Sequence, residues 1–163
     1  MPKQEDSKII LYAGGLAILY FGVIRPILKK LGIQQTQEEK EAAQAIIKQE
    51  NTPNNENPFS SIYWKNVRGA QLIDVASTDR LNRRIYNAMG YFSDDESAVY
   101  SVFTQLKYKT QVSWLADNFQ RLYKIDLFDF LKRGKGQLYQ AGLNNEEMQK
   151  IIKIVNALPK TKQ

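Results

Sequence analysis

The stretch DRLNRRIYNAMGYFSDDESAVYSVF, residues 79–103, decides the fold class because it holds two helical patterns separated by stop and start signals. Ser77 is predicted to cap the first helix and Gly90 to end it. Ser93 and Glu96 have the spacing of a capping box that opens the second helix. Apolar residues recur at helical spacing on one face of each, namely Leu81, Ile85, Ala88 and Met89, then Ala98, Val99, Val102, Phe103 and Leu106.

Three segments further along the chain have the same helical period. Thr110 begins a third helix, Asp126 caps a short fourth that Gly134 stops, and Asn144 with Glu147 forms a capping box for a fifth. The residues expected to point inward are Val112, Leu115, Ala116, Phe119 and Leu122 in the third helix, and Met148, Ile151, Ile152, Val155 and Leu158 in the fifth. Five short amphipathic helices predict a compact all-α bundle.

A polar stretch precedes this bundle. Thr36 and Glu39 fit a capping box for a helix over residues 37–50, whose apolar stripe is only Ala43, Ile46 and Ile47. The stripe favours a solvated spacer helix, with weak self-association as the alternative. Asn and Pro dominate residues 51–58 and predict a linker. The sequence therefore divides into an anchor with its flanks (1–33), a polar stalk helix with an Asn/Pro linker (34–57) and a basic helical domain (58–163).

The anchor is predicted from an uncharged run of sixteen residues, 9–24, that Lys8 and Arg25 bracket. Its length approaches the hydrocarbon thickness of a bilayer once the flanking cations snorkel, so one transmembrane helix is expected. A cleaved signal peptide and a buried core helix are the alternatives. The residues expected to contact lipid are Ile9, Ile10, Leu11, Leu16, Ile18, Leu19, Phe21, Val23 and Ile24.

Composition excludes several kinds of chemistry. The chain has neither cysteine nor histidine, so it has no disulfide, no thiolate or imidazole metal ligand and no Ser-His or Cys-His nucleophile. Asp117, Asp126 and Asp129 are the carboxylates nearest to a catalytic pair, and helix caps or solvent-facing positions account for them. We therefore expect a non-enzymatic protein with no cofactor, no catalytic residue and no metal site. A small peptidoglycan-cleaving enzyme remains an alternative, since it needs only two carboxylates.

The basic charge lies in the helical domain. Residues 58–163 contain sixteen Lys or Arg and ten Asp or Glu, which accounts for the whole net charge of +6. Such an excess favours anionic lipid or nucleic acid as a partner. The residues predicted to contact an anionic surface are Arg80, Arg83, Arg84, Lys107, Lys109, Lys132, Arg133 and Lys135. The alternative is a set of solvated helix faces.

The order and spacing of the five helices resemble one annexin repeat. The likeness covers roughly residues 77–160 and is carried by residues 79–103, by FQRLYKIDLFDFLKR (119–133) and by the ending NALPK (156–160). It implies a five-helix, annexin-repeat-like fold. The family's calcium loop is poorly kept, because Gly90 holds its first glycine position whereas Phe92 and Ser93 replace its second glycine and its threonine. The position of the family's acidic ligand falls near Gly134, among Lys132, Arg133 and Lys135.

The architecture as a whole, an anchor before one repeat with the leader Asn57-Pro58-Phe59 and Tyr63-Trp64-Lys65, resembles that of short membrane proteins encoded by phages and prophages of Bacteroidota. That likeness implies a structural protein that links lipid to a protein assembly, such as a virion. The alternative function is a peripheral annexin-like module that binds lipid and calcium. Arg25, Lys29 and Lys30 follow the apolar run, so the domain is expected on the cytoplasmic or interior side of a single-pass anchor. The aromatics 63–64 are expected to pack as a lid on the bundle.

Overall fold

The computed structural model describes residues 36–90, 95–135 and 142–162. Over these residues the fold is all-α, with no strand. The predicted transmembrane segment, residues 9–24, lies outside this part of the chain; among the residues described, no helix is both long and apolar enough to cross a bilayer. The elements are α1 (Gln37–Glu50), a 3₁₀ helix (Tyr63–Asn66), α2 (Val75–Ala88), α3 (Glu96–Gln105), α4 (Lys109–Tyr123), α5 (Leu127–Arg133) and α6 (Asn145–Ala157).

Helix α4 lies at the centre of the bundle. It packs against α2, α5, α6 and the 3₁₀ helix, while α3 packs against α2 and α6. Seven of its fifteen residues are buried, and they are spread round the helix because its neighbours approach from several sides. The predicted inward residues Val112, Leu115, Ala116 and Phe119 are all buried, whereas Leu122 is only partly covered.

The helix boundaries confirm most of the start and stop signals. Asn144 and Glu147 form the predicted capping box of α6, and Asp126 caps α5 by accepting a hydrogen bond from the Asp129 amide. Gly134 follows α5 with φ +66°, a conformation in which glycine alone avoids strain. Helix α4 begins one residue earlier than predicted, at Lys109, and its first turn has no side-chain cap.

Two predicted caps are wrong in position. The residue that caps α2 is Asp74, whose carboxylate accepts from the Ser77 amide at 2.8 Å, so Ser77 lies inside the first turn. The residue that caps α3 is Asp95, which accepts from the Ala98 amide at 2.9 Å. The predicted cap Ser93 lies outside the described residues. In both cases an aspartate directly precedes the first helical residue, and its charge is also attracted by the helix dipole.

Helix α1 has the predicted bounds but packs with a different stripe. Ala42 is fully buried, Gln49 is nearly so, and Ala45 and Ile46 pack against the core cluster. These positions recur at helical spacing, whereas Ile47 of the predicted stripe is 47% exposed. By its internal contacts the chain divides into residues 1–37 and 38–163, so α1 and the Asn/Pro segment belong to the same unit as the bundle.

Polar contacts join the end of α1 to the Asn/Pro segment and to α5. The Gln49 side chain donates to Asn57 Oδ1 at 2.6 Å, and the Asn57 amide nitrogen donates back to the Gln49 carbonyl at 3.2 Å. The Lys132 ammonium of α5 pairs with the Glu50 carboxylate and with Asp129, 3.0 Å away. Burial lowers the pKa of Lys132, but these hydrogen bonds outweigh it and leave the pKa above its ordinary value. The segment therefore acts as a folded connection.

The aromatic residues before α2 lie along α4. Tyr63 is buried, and the Trp64 ring meets Trp114 edge-on with 5.2 Å between ring centroids. Ser113 of α4 donates its hydroxyl to the Ser60 carbonyl at 2.5 Å and accepts from the Trp64 amide at 3.0 Å. One buried hydroxyl thus holds the leader segment against the central helix.

Ala42→Asp should unfold or release α1, because it places a charge at a position with no exposed surface. We expect a loss of about 2–4 kcal/mol in the free energy of unfolding, measured by chemical denaturation. Gln44→Asp puts the same charge on an exposed face of the same helix and should change little. Equal stability of the two variants would show that α1 is a solvated spacer.

Ser113→Ala should destabilise the domain by about 1–3 kcal/mol, since it leaves the Ser60 carbonyl and the Trp64 amide without their buried partner. Thr104→Ala on the exposed side of α3 is the control, because it also exchanges a hydroxyl residue for the better helix former. In chemical denaturation, the free energy of unfolding should fall for Ser113→Ala and not for Thr104→Ala. A Ser113→Ala variant as stable as the parent would contradict the assigned role of this hydroxyl.

Candidate functional site

A groove of about 730 Å³ opens between α2 with the segment before it, the end of α3 and the start of α4. Aliphatic side chains line it together with polar and charged ones. The lining residues are Leu72, Ile73, Asp74, Ser77, Arg80, Leu81, Arg84, Gln105, Leu106, Lys107 and Gln111.

The spacing of α2 places two arginines in this groove. Ser77, Arg80, Leu81 and Arg84 stand at positions i, i+3, i+4 and i+7, which share one face of a helix. The Arg80 guanidinium donates to the Ser77 hydroxyl at 3.1 Å, which orients it along this face. Both arginine side chains remain exposed to solvent. The face therefore offers two guanidinium groups about one helical turn apart.

Lys107 brings a third cation from the turn between α3 and α4. Its backbone amide donates to Gln111 Oε1 at 2.7 Å, so a side chain of α4 fixes the turn. Leu106 beside it is 3% exposed and belongs to the core. The buried leucine anchors the turn and leaves the lysine side chain at the groove.

Asp74 is the one acidic residue among the described lining residues. The Ser77 amide and hydroxyl donate to its carboxylate and lower its pKa, with Arg80 adding a smaller attraction. The carboxylate is therefore ionised at neutral pH and is committed to capping α2. It offsets one of three positive charges, so the groove keeps a positive excess.

The groove cations form no ion pair with the described part of the chain, unlike Lys65, Arg121 and Lys132. Lys65 pairs with Asp117 at 3.6 Å and Arg121 with Asp79 at 3.5 Å. No ion pair among residues 36–90, 95–135 and 142–162 involves Arg80, Arg84 or Lys107. Their charge is available to a ligand.

The structure divides the eight predicted anion-contact residues. Arg80, Arg84 and Lys107 line the groove together, whereas Arg83 is exposed on α2 outside the lining. Lys109 begins α4, and its backbone amide donates to the Pro159 carbonyl at 2.9 Å. The remaining three follow one another on and after α5: Lys132 is held by Glu50 and Asp129, Arg133 lies 3.9 Å from Asp129, and the Lys135 ammonium lies 4.6 Å from the Tyr86 ring centroid.

The carboxylates weighed for catalysis have structural partners. Asp117 accepts from the Trp64 indole at 3.1 Å and pairs with Lys65. Asp126 caps α5, and burial raises the pKa of its carboxyl despite the hydrogen bond from the Asp129 amide. Asp129 pairs with Lys132. Each carboxylate thus has a role in stabilising the bundle.

For a metal, the described residues offer no group of three or more acidic side chains close enough to share an ion. The calcium-loop positions Phe92 and Ser93 lie outside them. At Gly134, where the annexin pattern has an acid, the backbone has φ +66° and ψ −163°. That region is nearly restricted to glycine, so an acidic side chain could not occupy the position without strain.

Sequence reasoning missed the aliphatic and acidic part of the groove, Leu72, Ile73 and Asp74. The predicted cap at Ser77 leaves the segment before α2 outside the helix and without a predicted role. The i, i+3, i+4, i+7 series from Ser77 to Arg84 was a readable signal of a polar face, and it separates Arg83 from its two neighbours. The contribution of Lys107 depends on the packing of α3 against α2, which no local pattern reports.

Two guanidinium groups and an ammonium around an open groove suit a multivalent oxyanion. Guanidinium donates two parallel hydrogen bonds to phosphate or carboxylate, and lysine adds a point charge. The lining can bind and orient such a group.

No protein-family model, curated protein or solved structure matches this chain, and the annexin and phage likenesses stay predictions.

Proposed function

We propose that this chain is a non-enzymatic, single-pass membrane protein whose helical domain works at the bilayer surface. The uncharged run of residues 9–24 carries the proposal, because it is long enough to anchor the chain with its flanking cations. The helical domain adds a positive charge excess, which an anionic headgroup layer attracts.

The cationic groove supports the same function. Charge-rich helix faces are ordinarily solvated, but Arg80, Arg84 and Lys107 converge from two parts of the chain on one concavity. Such convergence is typical of binding sites, where a few polar groups are placed around an apolar lining. A domain held near lipid would meet headgroup phosphates at high local concentration.

We also propose that the domain links the bilayer to a protein assembly, such as a lipid-containing virion. The well-packed helices suit a structural role, since carboxylates cap helices or form ion pairs and the buried Ser113 hydroxyl joins two segments of the bundle. Detection of the intact chain in purified lipid-containing particles would support this assignment. Its absence from such particles, with retention in host membranes, would contradict it.

Full-length protein should float with neutral phosphatidylcholine vesicles and stay bound through high salt, high pH and chelator. The reason is that burial of an apolar helix depends on neither charge nor divalent ions. The measurement is the fraction of protein in the lipid layer after density-gradient centrifugation.

The control exchanges residues inside the run. Leu16→Arg with Leu19→Arg should abolish flotation, because each arginine at the centre of a span costs about 3 kcal/mol on insertion scales. Leu16→Ile with Leu19→Ile keeps the apolar surface and should float. Release of the parent protein by chelator would instead favour a peripheral calcium-dependent module, and release by salt alone would favour surface attraction.

A further inference from the structure

We propose that the groove between α2, α3 and α4 binds the phosphate of an anionic phospholipid headgroup, with Arg80, Arg84 and Lys107 as its ligands. This inference rests on the proposed function, which places the domain at a lipid surface. It adds a defined binding site to a general attraction between a basic domain and acidic lipid.

Charge and geometry select the phosphate. The two arginines are one turn apart on α2, and Lys107 lies across the groove on the turn that Gln111 fixes. None of the three is paired with a described carboxylate. A phosphate diester presents two oxygens that share one negative charge, which a guanidinium can bind through two hydrogen bonds. The ligand would therefore supply ion-pair partners that the described part of the chain does not.

The uncharged part of the lining selects lipid over nucleic acid. Leu72, Ile73 and Leu81 supply aliphatic surface, and Leu72 is 39% exposed at the groove. Binding of single-stranded nucleic acid typically uses aromatic rings on which bases stack. The described lining residues include no aromatic side chain. Aliphatic surface beside cations instead suits the glycerol and first methylenes of a phospholipid.

The position of the groove separates it from the annexin pattern. The groove lies at the start of α2 and the end of α3, whereas the calcium loop of that family corresponds to the connection from α2 to α3. These are opposite ends of α2. The proposed site binds phosphate directly through side chains, so its ligand binding should be independent of calcium.

The test uses ¹⁵N-labelled full-length protein in micelles of a neutral detergent. Dihexanoyl-phosphatidylglycerol is titrated in, and amide shifts of Ser77, Arg84 and Lys107 report binding. Parallel titrations use dihexanoyl-phosphatidylcholine, inorganic phosphate and a single-stranded oligonucleotide. We expect saturable shifts with phosphatidylglycerol, unchanged by chelator, and much weaker shifts with the other three.

A matched pair of variants separates the groove from the general charge. Arg84→Gln removes a proposed ligand and should weaken phosphatidylglycerol binding about tenfold, the value of one charge-assisted hydrogen bond. Arg83→Gln removes the same charge from the neighbouring position outside the lining and should weaken it less than about twofold.

Asp74→Asn should change the affinity for phosphatidylglycerol in the opposite direction. Asparagine caps a helix about as well as aspartate, so α2 should keep its start while the groove loses its negative charge. We expect binding to tighten about threefold. Since this variant keeps the cap, its effect does not depend on a loss of folding.

Equal weakening by Arg83→Gln and Arg84→Gln, or no tightening by Asp74→Asn, would overturn the site. Equal affinity for inorganic phosphate, or preferential binding of the oligonucleotide at the same residues, would overturn the assignment to lipid. Flotation on neutral vesicles depends on residues 9–24 and not on the groove. The anchor and the headgroup site can therefore fail separately.

Discussion

The enclosure of α4 is the constraint on which the described fold depends. A helix covered from several sides must find partners for every polar group it buries. The Thr110 hydroxyl donates to the Gln71 carbonyl at 2.9 Å, and the Ser113 hydroxyl donates to the Ser60 carbonyl. Arg121 of α4 itself donates to the buried Asn118 side chain. The first two contacts fix segments that come before α2. The hydrogen bonds that the buried hydroxyls of α4 require therefore also position the leader and one wall of the groove.

The charged residues are placed by the same need for partners. Acidic side chains cap α2, α3 and α5, where the helix dipole and free amides hold them, or they pair with cations across elements. Lys132 is occupied by Glu50 and Asp129 because it ties α1 to α5. Among the cations without an ion pair, Arg80, Arg84 and Lys107 are the ones that line the groove, and no ion pair or helix cap accounts for their placement there.

Local signals in the sequence predict the helices well, and contacts between distant segments limit the rest. The capping box at Asn144 and the stop at Gly134 depend on neighbours within a few residues, and both are confirmed. The docking of α1 is different, because Ala42 is a good residue for either a solvated or a buried helix. Residues 37–50 allow two apolar stripes, and only the approach of the bundle decides that the one with Ala42 and Ala45 is buried. Likewise three of the eight predicted contact residues line one groove. The helical spacing of α2 predicts that Arg80 and Arg84 share a face, but no local pattern predicts that Lys107 lies beside them.

The two ends of helix α2 differ in the chemistry of their surroundings. Beyond its C-terminal end, annexin-like calcium binding would need an acid near Gly134, where φ +66° and the neighbouring Lys132 and Arg133 both oppose a metal ligand. At its N-terminal end, two arginines and a lysine can neutralise an anion without a metal. In the proposed headgroup site, the three cations would neutralise the phosphate without a bridging metal ion, so binding there would not require the residues of a calcium loop.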